Sequence, residues 1–97
     1  MIVRFHPGAE LDFLGARRWY RRISARLEQR FVLSLSEKLL DLEEWPDANE
    51  CVHRDVRRAR LRRFPYYVVY CVRDDVLVIL ALPHVARDPV EWIRRRP

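Results

Sequence analysis

Halfway along the chain the hydrophobic residues change their period. Between Ala9 and Leu42 apolar side chains recur every three or four residues, whereas from Ala59 to Leu82 they alternate with polar ones or run together. The first rhythm gives helices with an apolar side and the second gives strands, so the two halves must pack as helices against a sheet. The 97 residues suffice for one such core and not for two, since a chain of this size buries roughly two thirds of its unfolded surface. A single domain over residues 1–97 is expected.

The elements follow from local signals. Ile2 to Phe5 suits a brief strand, and Pro7 fits the first position of a helix, where a missing N–H costs nothing. Ala9, Phe13, Ala16, Tyr20 and Ile23 line one side of that helix, with Trp19 and Tyr20 assigned to packing. Ser24 is the expected N-cap of a second helix, whose Leu27, Phe31, Leu35, Leu39 and Leu42 form a stripe ending at Trp45-Pro46-Asp47. A polar loop through Asn49 and Glu50 leads to a strand in which Ala59 and Leu61 alternate with Arg58, Arg60 and Arg62. Phe64-Pro65 breaks it. Two central strands follow, Tyr66 to Val72 and Val76 to Leu82, joined tightly at Asp74-Asp75. Asp88, Pro89 and Glu91 have the layout of a capping box opening a short last helix that carries Trp92. The expected architecture is α+β, in the order β-α-α-β-β-β-α, with a helical hairpin on one face of a curled, mainly antiparallel sheet and arginines on the other.

Composition narrows the functional classes. The net charge of +5 favours an acidic partner through long-range attraction. Six arginines fall between Arg54 and Arg63, and Lys38 is the single lysine. The run from Val76 to Pro83 is too short to cross a bilayer, and MIVRFHP lacks the plan of a signal peptide, so a cytoplasmic protein without membrane contact is expected. Cys51 and Cys71 lack the spacing of a zinc site or a disulfide framework, and neither a metal nor another cofactor is expected.

The segments FHPGAELDF, Trp19-Tyr20, RRARLRRFPYYVVYCVRDDVLVILAL and HVARDPVEW, in this order, resemble the RelE/ParE superfamily, the toxins of bacterial type II toxin–antitoxin systems. The resemblance covers nearly the whole chain and implies the small α+β fold read above. It also implies a cognate antitoxin partner in a hetero-oligomeric complex, and growth inhibition by one of two routes. One branch cleaves messenger RNA on the ribosome without a metal; another poisons DNA gyrase with no nuclease chemistry. A third reading is a non-toxic basic module binding RNA or protein, such as a decayed toxin.

RNA cleavage needs a proton acceptor for a ribose hydroxyl, cations at the phosphate and an acid for the leaving oxygen. Comparison with the nuclease branch implies Arg58, Arg60 and Arg87 as the cations, with Arg62 and Tyr67 extending the nucleic-acid contact. His84 is the candidate acid or base, its alternative role being to anchor the turn after Pro83 by bonding a backbone carbonyl. Tyr67 stands where nucleases commonly carry an arginine, and a guanidinium is a poor base. The catalytic set is thus incomplete. Glu50 and Asp55 serve as bases only if their loop folds over the sheet. Leu11, Leu14, Leu33 and Leu40 lie off the main helical stripes and are candidates for antitoxin contact, or equally for contact with the neighbouring helix or a second copy of the chain.

Overall fold

The computed structural model describes residues 1–87 and 93–96. Its elements are β1 (Ile2–Phe5), α1 (Pro7–Ile23), α2 (Ala25–Glu44), β2 (Cys51–His53), β3 (Val56–Arg60), β4 (Tyr67–Arg73) and β5 (Val76–Ala81). The strands form one sheet in the order β1-β5-β4-β3-β2. β1 runs parallel to β5 and every other neighbour pair is antiparallel. The α+β class and the helical hairpin on a sheet therefore stand as read from the sequence.

Both helix starts are fixed by side chains. The His6 imidazole Nδ1 accepts the Gly8 N–H at 3.0 Å, with Pro7 in the first helical position. Ser24 Oγ accepts the Leu27 N–H at 3.0 Å and caps α2 as expected. A cap of this kind contributes about 1 kcal/mol.

Packing is organised around Phe31, which is fully buried. Its ring meets those of Phe13, Tyr20, Phe64 and Tyr66 at centroid distances of 6.1, 5.2, 5.4 and 5.6 Å. Ala9, Ala16, Leu35 and Leu42 complete the helical side of this core, against Ala59, Val68, Tyr70, Leu77 and Ile79 of the sheet. Alternation sends Val56, Val69, Cys71 and Leu80 into a second, smaller cluster. The middle of the sheet is thus apolar on both faces, and no polar or charged residue is fully buried among the described residues.

Three local readings are corrected. The polar loop contains the three-residue strand β2, paired with β3 and entered before a left-handed Arg54 (φ 51°). β3 ends at Arg60, so Arg62 lies in the following loop and not in the strand. Trp19 and Ile23 are 59% and 62% exposed, because Tyr20, one residue round the helix, occupies the buried position of that turn. The capping box at residues 88–91 and Trp92 lie outside the described residues, after which Ile93 to Arg95 form a single 3₁₀ turn.

The described C-terminal residues are tied back to the core. Arg95 reaches the Asp12 carboxylate at 3.2 Å and the Leu80 carbonyl at 3.1 Å, while Arg96 meets Asp55 at 2.6 Å. That hydrogen bond from Arg96 is the chief reason the Asp55 carboxyl titrates below its usual range.

Candidate functional site

β3 presents its arginines by strand alternation. Ala59 and Leu61 enter the helix-side core, so Arg58 and Arg60 emerge together on the opposite face, opposite Val69 and Tyr67 of β4. The Arg58 guanidinium lies 4.4 Å from the centroid of the Tyr67 ring. Its Nη2 and Nε donate to Glu50 Oε1 at 2.6 and 3.2 Å. The Arg58 N–H also donates to the Glu50 carbonyl at 3.2 Å, so the loop is held alongside the strand by main chain and side chain together. Arg60 is exposed and forms no ion pair among the described residues.

Arg57, one position out of phase, turns the other way. Its Nη1 donates to the carbonyls of Asp47 and Asn49, fastening the loop that follows α2. Tyr70 supports the same loop from beneath: its hydroxyl donates to the Pro46 carbonyl at 2.8 Å and accepts from Asn49 Nδ2 at 3.2 Å. Burial pushes the Tyr70 phenol above its ordinary pKa. This anchoring carries Glu50 to Arg58. The sequence offered Glu50 only as a conditional base; its signal as a cation partner is an acid placed just ahead of a strand rich in arginine.

The other candidates gather elsewhere. His84 pairs with Tyr66 in an isolated antiparallel bridge, and its ring meets the Tyr66 ring edge-on at 5.3 Å. Its Nδ1 accepts the Ala86 N–H at 3.1 Å, so the histidine anchors the turn after Pro83 through a backbone donor rather than a backbone carbonyl. Arg87 is exposed, and its N–H donates to the His84 carbonyl at 2.9 Å. His84 and Arg87 line a recess of about 430 Å³ against α1, with Leu11, Asp12, Trp19 and Tyr66. Neither Arg58 nor Arg60 lines it. The four residues considered for catalysis are thus divided between the outer sheet face and the α1 recess.

The four leucines set aside for a protein partner are all solvent-facing. Leu11, Leu14, Leu33 and Leu40 are 67%, 45%, 58% and 66% exposed. Leu11 borders the α1 recess, and Leu33 borders a second recess between α2 and the loop after β3. No group of three His, Cys, Asp or Glu side chains suited to a metal occurs among the described residues. No helix among them is long and apolar enough to cross a membrane.

Comparison with known proteins gives a consistent result. Residues 3–89 match the family described as the ParE toxin of the type II toxin–antitoxin system parDE. Toxin ParE2 of Mycobacterium tuberculosis, in strains H37Rv and CDC 1551, is 30% identical over 91 residues, covering 90% of this chain and 84% of the relative. Among solved structures, a chain of the chromosomal ParDE system from P. aeruginosa superposes with a TM-score of 0.74 at 17% identity, over 87% of this chain and 95% of that one. The isolated E. coli RelE toxin superposes with a TM-score of 0.58 at 23% identity, over 97% and 96% of the two chains. The intact E. coli RelBE toxin–antitoxin complex gives 0.57 at 22%, over 89% and 98%.

Proposed function

Because this chain belongs to the ParE toxin family of type II toxin–antitoxin systems, we propose that it arrests growth by binding and poisoning DNA gyrase, and that a cognate antitoxin neutralises it. The observation that carries this choice over RNA cleavage is the state of Arg58. Its charge is already met by Glu50 at 2.6 Å and its face by Tyr67, so the first cation of a phosphate clamp is occupied by the protein itself. His84 and Arg87 sit in a different recess, and His84 Nδ1 is committed to Ala86. Cleavage needs acid, base and cations converging on one phosphate. Poisoning by binding needs only a complementary surface, which the exposed Arg60 and the exposed leucines supply.

The antitoxin in this reading covers the four exposed leucines with apolar side chains and meets neighbouring arginines with acidic ones. The test is inducible expression with and without the antitoxin, mapping both DNA breaks and RNA ends. Gyrase poisoning gives DNA breaks and an SOS response with intact messages. Cut messages on stalled ribosomes without DNA breaks refute it, and normal growth identifies a non-toxic module.

A further inference from the structure

The recess between α2 and the loop after β3 holds a cluster of cations that the gyrase reading does not use. Arg30, Arg62 and Arg63 line it, together with Leu27, Ser34, Phe64 and the Leu33 assigned above to the antitoxin, and it encloses about 690 Å³. All three arginines are exposed, and none forms an ion pair among the described residues. The one acid in the lining is Glu37. Arg26 is four residues before Arg30, on the same face of α2, and is also exposed and unpaired among the described residues.

Nothing about this grouping is left to a floppy loop. Ser34 Oγ donates to the Arg62 carbonyl at 2.8 Å, bolting the loop to α2, and the Leu61 N–H donates to the Tyr66 carbonyl at 3.0 Å. Arg63 is held in the left-handed region at φ 66°, a conformation that disfavours a residue with a Cβ. The fold thus fixes the backbone that carries Arg62 and Arg63 beside Arg30, around one opening with a single carboxylate in its lining. Such a grouping repels itself unless an anion enters.

We propose that this recess and Arg26 form a binding track for the phosphodiester backbone of a nucleic acid. Arg26 and Arg30 are separated by about 6 Å along the helix axis, a little under two base steps of roughly 3.4 Å each. The track is built of guanidinium groups, whose planar donors grip phosphate oxygens in pairs. The rival occupant is an acidic peptide, since Leu27 and Leu33 also line the recess and suit apolar side chains; competition by polyglutamate separates the two.

The experiment measures binding by the toxin alone, without gyrase or antitoxin, so its outcome is independent of whether gyrase is the target. A labelled 20-base-pair DNA duplex and a single-stranded RNA of matching length are titrated by fluorescence anisotropy across a range of salt. Four phosphate contacts give a log–log salt slope near −3.6 on the duplex, at about −0.9 per contact. R62Q/R63Q and R26Q/R30Q are each expected to make that slope shallower by about 1.8. R4Q/R94Q, on the opposite recess beside β1, leaves it unchanged. Tighter binding of one probe assigns the track to DNA or to RNA. Absence of binding at low salt, slopes unaltered in both double variants, or polyglutamate displacing the probes at equal charge concentration overturns the proposal. Thermal melts of the variants separate loss of contact from loss of fold.

Discussion

Replacing Tyr70 by Phe isolates the joint on which the outer site depends. The ring is fully buried, so the substitution keeps its packing and removes only the hydroxyl. That hydroxyl has two partners, the Pro46 carbonyl at 2.8 Å and Asn49 Nδ2 at 3.2 Å, both in the loop after α2. Each net hydrogen bond contributes about 1 kcal/mol, so the expected loss is about 2 kcal/mol. For a domain of this size each kcal/mol corresponds to a melting shift of about 4–8 °C, giving a fall of about 8–16 °C. Urea unfolding should show a lower midpoint with an unchanged slope. Asn49→Ala should be substantially non-additive with Tyr70→Phe, because the two share one bond. A midpoint moved by less than the equivalent of about 0.5 kcal/mol refutes the claim that this hydroxyl holds the loop.

Three further outcomes follow from the same structure. Asp74 and Asp75 join β4 and β5 with φ of 51° and 62°, so Asp75→Gly should raise stability by about 1 kcal/mol in thermal melts, since glycine bears no cost there. The Tyr20 pKa is pushed up to about 12, first by burial and then by Tyr66. Because the folded value lies above the unfolded one, this contribution is intact below about pH 10 and lost as pH rises toward 12; Tyr20→Phe should flatten that part of an alkaline stability profile. Leu11→Glu and Leu40→Glu should each weaken antitoxin binding at least tenfold by calorimetry while leaving the melting temperature within a few degrees, because both side chains are exposed.

The fold was legible where one periodicity persisted. The stripe from Leu27 to Leu42 and the apolar runs of β4 and β5 state their burial directly, and Ser24 states its cap. β2 was not, because three residues are too few to show alternation and its pairing comes from β3. Trp19 lies about 100° round the helix from Tyr20, which takes the core-facing position, and composition does not say which of two adjacent aromatics does. Alternation correctly set Arg58 and Arg60 on one face. It was silent on Glu50, Asp47 and Asn49, whose approach to Arg58 and Arg57 is a matter of loop closure over several residues. The separation of His84 and Arg87 from the sheet arginines has the same origin, a turn whose path sequence spacing does not record.

The most direct measurement of the central claim combines the purified chain with DNA gyrase, ATP and supercoiled plasmid, and follows the DNA on a gel after protein is removed. Poisoning predicts linear, gyrase-cleaved plasmid that rises with toxin concentration and disappears when antitoxin is added first. Unaltered supercoiling and no cleaved DNA at saturating toxin, together with cut messenger RNA when the same preparation is added to translating ribosomes, would contradict it.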